Sequence, residues 1–357
     1  MGLKYSIKQA IIKSVMAKRK KNLDIDEVQT ELHVMPDDAD YDINHSYYFG
    51  SHDLQGNTFF LRLGLRGGED RKAEIWFVYK TACGKAFVNE IEHLDAKDST
   101  LKIECIEPLK KWKLVFNGKV IPVAPDSNTK LATPIGKSVN ASFEAIFESN
   151  TGLYHFSRDV DNRAFAKAMA AEVWVKGFAD ELKNNNQVHI EQDGKAAASI
   201  KVDGESFSFC GLAVRDHSYG RRVWSYMNTY HWLPAIFENG YIYNPNLVRY
   251  PAINKRGLIT GYKMKDGNWT NIIDVDFPSH AISGLAPIGG EYTITFDNLQ
   301  RETVSFTPEI IFNFNFKDKG GTFHVFAAVS KFAIGELKGR GSAEFGYHGD
   351  KTRYEIL

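Results

Sequence analysis

Residues 196–214 read Ala196-Ala197-Ala198-Ser199-Ile200-Lys201-Val202-Asp203-Gly204-Glu205-Ser206-Phe207-Ser208-Phe209-Cys210-Gly211-Leu212-Ala213-Val214, and this stretch decides the class of fold. Ala198, Ile200 and Val202 alternate with Ser199 and Lys201, and Phe207 and Phe209 then alternate with Ser206 and Ser208. That is the period of two expected of strands with one face turned to a core. Asp203-Gly204 between the runs is a pair that reverses a chain within two residues, because both central positions of such a turn need positive φ. The segment is predicted to be an antiparallel hairpin.

The same texture extends in both directions. Short alternating runs rich in Phe, Tyr, Val, Ile and Thr occupy 58–65, 73–80, 101–106, 112–116, 142–149 and 188–192, with Asn117-Gly118 and Asp193-Gly194 read as further turns. Beyond Trp224 it resumes at 224–229, 236–243, 258–264, 270–275, 290–296, 303–316, 322–332 and 343–347. So many strands with aromatics at alternate positions fit two sandwiches or barrels, and barrels also remove exposed edges.

Two segments break the pattern. In 3–21, Leu3, Ile7, Ile11 and Val15 recur every fourth residue with Ala10, Ile12 and Met16 beside them, an amphipathic helix expected to dock on the body with its lysines in solvent. Its basic face also suits anionic lipid headgroups, so a peripheral membrane contact through residues 1–21 stays open. In 161–183, Phe165, Met169, Val173, Trp174 and Phe178 mark a helix over an alanine-rich run, followed by a polar loop at Asn184-Asn185-Asn186. The organisation read from this is a helix at 1–22, a β-unit at 23–220 and a second at 221–357, since 357 residues exceed the usual size of one core.

Charge and cysteine content remove several classes of function. Lys plus Arg equals Asp plus Glu at 44 each, so no basic field favours nucleic acid. Three cysteines without a close pair give neither a disulfide framework nor a thiolate zinc site. No apolar run is long enough for a spanning helix or a secretory signal, and the expected location is the cytoplasm.

Chemistry concentrates in Arg215-Asp216-His217-Ser218-Tyr219-Gly220-Arg221-Arg222, which continues the second strand of the hairpin. If 214–218 stays extended, Asp216 shares a face with Val214 and Ser218 while Arg215 and His217 share the other. A working Asp216–His217 pair then requires a bulge or turn at Ser218-Tyr219-Gly220. The competing reading is a buried ion pair of Arg215, Asp216 and Arg221, with His217 as a core group. His189 and Glu191 share a face one strand earlier. No metal-binding histidine spacing, phosphate loop or serine-hydrolase elbow is present, and Gly339-Arg340-Gly341 reads as a tight turn.

Taken in order with Glu107-Pro108-Leu109-Lys110-Lys111-Trp112, Phe116-Asn117-Gly118 and Gly339-Arg340-Gly341-Ser342-Ala343-Glu344-Phe345-Gly346-Tyr347, this motif resembles the carotenoid 1,2-hydratase and hydroxyneurosporene synthase superfamily, whose signature reads Arg-Asp-His-Ser-Trp-Gly. Tyr219 stands where the signature has Trp. The resemblance implies two tandem lipocalin-like (calycin) antiparallel β-barrels holding an apolar ligand, without metal or cofactor. It also implies a lyase or isomerase, of hydratase or cyclase type, acting on an isoprenoid- or polyene-like molecule by protonation and carbocation capture. The alternative is a lipocalin-like carrier without catalysis. In the catalytic reading Asp216 is the acid and His217 its partner, Arg215 and Glu191 set the charge, and Tyr219, Arg221, Trp224, His189, Tyr226 and Trp232 meet the substrate.

Overall fold

The computed structural model describes residues 2–68, 71–90, 94–178, 187–251, 253–277, 286–350 and 352. The hairpin forms as read: Val202 pairs with Glu205 around Asp203 and Gly204, whose φ angles are 49° and 82°. From it grows a closed eight-stranded antiparallel barrel. Its neighbours run Val188–Val202, Glu205–Arg221, Ile43–His52, Thr58–Arg66, Lys72–Lys80, Ala86–Asn89, Lys111–Pro125 and Val139–Glu148, which returns to Val188–Val202.

A second antiparallel sheet runs through Ile242–Arg249, Leu258–Lys265, Asn268–Asp276, Gly290–Phe296, Arg301–Asp318, Gly321–Ile334 and Leu337–His348. The short strands Thr229–Trp232 and Ala235–Phe237 each pair with both Leu337–His348 and Ile242–Arg249, which joins the ends of this sheet as well.

Three apolar layers explain why so many strands are buried on both faces. Phe59, Phe77, Phe116 and Phe143 fill the first barrel, and Phe237, Tyr292, Phe306 and Phe345 fill the second. Outward residues of both barrels, among them Phe60, Trp76, Val78, Phe312, Phe314 and Val325, form the layer between them. Trp76 stacks on Phe314 with centroids 4.4 Å apart.

Two expected turns are not turns. Asn117-Gly118 and Asp193-Gly194 lie inside the long strands Lys111–Pro125 and Val188–Val202. A Cβ on Gly194 would sit 2.5 Å from the Glu148 carbonyl oxygen, so this glycine permits close approach of strands. Gly339 and Gly341 likewise lie within the strand Leu337–His348, and a Cβ on Gly341 would meet the Pro234 carbonyl at 2.0 Å. Residues 224–226 form a 3₁₀ turn rather than a strand, and 236–243 holds the turn of a hairpin.

The inner helix is shorter than its apolar pattern, running Asn162–Ala171. The Asp161 carboxylate accepts from the Arg163 N–H at its start, and the Trp174 indole N–H donates to the Met169 carbonyl at 2.9 Å past its end. Residues 179–183 of the expected helix, and the loop at 184–186, lie outside the described residues. The first helix spans Leu3–Lys21 and docks through Ile12 and Met16 against Ala166, Met169 and Ala170. Of the apolar side chains read on this helix, Leu3, Ile7, Ile11 and Val15 face outward. Among the described residues no helix is long and apolar enough to cross a membrane.

Candidate active site between the barrels

The strand Glu205–Arg221 stays regular across the dense motif, pairing without interruption from Leu212 to Arg221 with Ile43–His52. Alternation therefore holds. Asp216 and Ser218 point out of the first barrel toward the second, while Arg215, His217 and Tyr219 point into the first. On the neighbouring strand Glu191 is directly opposite Asp216 and His189 opposite Ser218, so His189 lies diagonal to Asp216 on the outward face.

A cavity of about 480 Å³ opens between the barrels. Asp216 and His189 form part of one wall, and Trp76, Trp224, Tyr230, Trp232 and Tyr250 supply aromatic surface. Val15 and Met16 of the first helix and Phe165 and Met169 of the inner helix complete it on another side.

His189 sits between two carboxylates. Its Nε2 pairs with Asp216 Oδ2 and lies 3.0 Å from Glu191 Oε1, and its ring stacks on Phe156 at 4.1 Å. Burial alone would lower the imidazole pKa. The charge and hydrogen bond of Asp216, then those of Glu191, outweigh it and push the value up to about 10. At neutral pH this ring is an imidazolium.

Glu191 is fixed from the opposite barrel. The Trp232 indole N–H donates to its Oε1 at 3.0 Å, and the Asn244 amide donates to its Oε2. Ser218 Oγ donates to Asp216 Oδ1 at 3.4 Å. The group is thus a hydrogen-bonded seam between the barrels whose one edge, Asp216, faces the cavity.

Across the seam lies a residue the sequence did not single out. Glu344, on the strand Leu337–His348, lines the cavity and is buried. Burial pushes its pKa up to about 8; the Tyr230 hydrogen bond and Arg62 oppose the shift, and the Asp216 charge adds to it. Tyr230 donates to its Oε2 at 3.2 Å, and Oε1 has no hydrogen-bond partner among the described residues. A carboxyl that is protonated at neutral pH with one oxygen uncommitted can deliver a proton.

Cations with aromatic neighbours surround the same space. Arg62 lies 5.2 Å from the Trp76 centroid and 5.7 Å from that of Trp224, and Arg222 donates to Ser218 Oγ at 3.2 Å. Tyr48, which also lines the cavity, is hydrogen-bonded to Ser342 at 3.2 Å.

The sequence-derived candidates divide accordingly. Asp216, His189, Trp224 and Trp232 line the cavity, and Glu191 lies directly behind it. Five others do not reach it. His217 is not the partner of Asp216: strand alternation turns it inward, where its Nε2 meets His45 Nε2 at 2.9 Å. Arg215 is also inside, donating to Glu31 and Gln192, each at 2.9 Å. Tyr219 stacks on His33 at 3.7 Å, and Arg221 is exposed and pairs with Asp42. The expected ion pair of Arg215 with Asp216 is therefore absent, since Arg215 pairs with Glu31 on the other face. Tyr226 stacks on Tyr250 at 5.6 Å but is not among the lining residues.

His189, Glu191 and Asp216 also offer three ligand atoms within 4.8 Å of one another. A divalent cation there would have to displace the proton that His189 holds between the two carboxylates. The neutral N–H donors on Glu191 suit a carboxylate already balanced by that proton.

Two antiparallel barrels enclosing a polar-edged aromatic cavity at their junction define a protein of tandem lipocalin-like fold. The chain belongs to the family described as domain of unknown function DUF7064, whose model matches residues 26–348. An AttH-like protein of Nitrosomonas europaea shares the fold with a TM-score of 0.57 at 11% identity, over 92% of this chain and 98% of that one. CghA, in a structure with Sch210972, gives 0.50 at 10% identity over 85% and 87%. Kievitone hydratase from Nectria haematococca gives 0.44 at 8% identity over 93% and 98%. No curated protein sequence matches at a significant level.

Proposed function

We propose that the protein is a cofactor-independent lyase or isomerase, of hydratase or cyclase type, which protonates an apolar isoprenoid- or polyene-like molecule in the cavity between the barrels. The observation that carries this reading is Glu344, a buried carboxyl whose pKa is pushed up to about 8 and whose free oxygen lies among aromatic faces. Glu344 takes the role of acid that the sequence assigned to Asp216. Its proton adds to one carbon of a double bond, and the cation at the other carbon is met by the aromatic wall of the cavity, to which Trp232 and Tyr230 contribute.

Capture by water forms the C–O bond of an alcohol; capture by a second double bond closes a ring. In either case the proton released passes to Asp216, which His189 holds in place, and returns to Glu344 for the next cycle. The cavity is also suited to storage alone, and a lipocalin-like carrier is the second reading.

Mass spectrometry of ligand co-purified from the native source, before and after incubation, separates the two. Conversion is expected, with Glu344→Gln and Asp216→Asn each slowing it by about 100-fold or more while ligand remains bound. Because the acid must carry its proton, the rate should fall as pH rises through about 8. A ligand recovered unchanged from the wild type assigns the protein to carriage.

A further inference from the structure

The helix Leu3–Lys21 has two apolar faces and uses only one of them in the fold. Ile12 and Met16 are buried against the inner helix, whereas Leu3, Ile7, Ile11 and Val15 are 79%, 51%, 47% and 59% exposed. These four large side chains, spaced by four residues, make a continuous outward stripe. Beside it, Val173 and Val175 are 76% and 62% exposed. The partly exposed Trp174 is tied to the same helix by Lys8, whose Nζ lies 4.9 Å from the ring centroid.

Charge identifies what covers this stripe. The helix carries Lys4, Lys8, Lys13, Lys18, Arg19, Lys20 and Lys21 and no acidic residue, in a chain whose formal net charge is zero. Lys8 and Lys20 donate to the Glu172 and Val160 carbonyls, whereas Lys4, Lys13, Lys18 and Lys21 are exposed. A second copy of the helix would bring like charge against like charge. A lipid surface with anionic headgroups accepts both features at once: aliphatic side chains enter the acyl boundary while lysines reach the headgroups. Position adds a third argument, because Val15, Met16 and Arg19 of this helix line the cavity between the barrels.

We infer that the helix Leu3–Lys21 is a peripheral docking element for anionic membranes and sets the rim of the cavity against the bilayer. The apolar substrate or ligand then enters from the membrane without crossing water. This second statement rests on the function proposed above, whereas the docking surface stands without it.

Flotation of the full-length protein with vesicles of phosphatidylcholine alone and of phosphatidylcholine with 30% phosphatidylserine tests the surface directly. Binding is expected to the anionic vesicles, weakened by 0.5 M salt and reduced by about tenfold or more in Ile7→Glu/Ile11→Glu. These two side chains are exposed and lie off the cavity, so an unchanged thermal unfolding temperature is expected and confirms that the variant folds. Glu344→Gln should bind vesicles as the wild type does, which keeps failure of the proposed chemistry distinguishable from failure of docking. Equal binding of wild type and the double glutamate variant would overturn the inference. So would light scattering that shows a dimer lost in the same variant, since a second copy would then cover the stripe.

Discussion

On the inner face of the strand Glu205–Arg221, Arg215 meets Glu31 and His217 meets His45; on the outer face, one residue along, Asp216 meets His189. All are packed in the protein, yet the histidines go opposite ways. Burial drives His217 well below its ordinary pKa, and His45 and Arg215 push it further down. His189 meets the same penalty of burial, but two carboxylates lift it to about 10. The sign of the neighbouring charge, rather than burial, decides which histidine is an ion. On the inner face the acidic charge of Glu31 is consumed by Arg215, leaving the histidines neutral. On the outer face the nearest cation to Asp216 is the histidine itself.

The largest effect should come from the inner face. Arg215 and Glu31 are both fully buried, so Arg215→Leu strands a carboxylate in the first barrel and should cost about 3–5 kcal/mol in denaturant unfolding. Glu31→Leu/Arg215→Leu should recover most of that loss, because the barrel then buries no unpaired charge. Turnover per folded molecule should stay near that of the wild type. Loss of turnover with stability intact would move the chemistry to the inner face and reverse the contrast.

Much of this contrast was legible in advance, because it depends on a period of two. Asp216 was separated from Arg215 and His217 by alternation alone, and His189 was placed on the face of Glu191 for the same reason. The register between the two strands was not legible, and it is the register that sets Glu191 opposite Asp216. The hairpin at Asp203-Gly204 was read correctly because both residues take positive φ. Asn117-Gly118 and Asp193-Gly194 carry the same signal but serve close packing of long strands, a tertiary demand that local sequence does not express.

Glu344 was missed for a related reason. In the strand Leu337–His348 both faces are buried, one in the second barrel and one against the first, so its neighbours Ala343 and Phe345 do not announce which side holds the cavity. A carboxylate amid a run of small and aromatic residues was the signal available. The first helix shows a similar limit: spacing marks Leu3, Ile7, Ile11 and Val15 as apolar with Ile12 and Met16 beside them, but not which of these dock, and Ile12 and Met16 make that contact.

The outer face can be tested by removing its cation. His189→Gln should cost on the order of 2 kcal/mol at pH 6, well below a full conversion of the pKa shift, because Asp216 borders the cavity and can regain water. The folded-state pKa of about 10 exceeds the unfolded value of 6.5, so the contribution of His189 is complete below pH 6.5 and disappears as pH rises through 10. The gap in unfolding free energy between wild type and variant should narrow over that interval. A gap constant from pH 6 to 10 would show that His189 is not held as an ion.

The smallest effect should come from the matching histidine inside. His217→Phe removes one neutral hydrogen bond to His45 but keeps a ring on Tyr47, whose centroid lies 4.2 Å from that of His217, so the expected cost is about 1 kcal/mol. His45 is itself lowered to about 4 by burial, with His33 contributing, so neither inner ring takes up a proton between pH 6 and 8. The difference in unfolding free energy should therefore be flat across that range, in contrast to His189→Gln. A dependence on pH like that of the outer variant would mean that the inner pair shares the charge of the outer network, and the strand would then couple its two faces rather than insulate them.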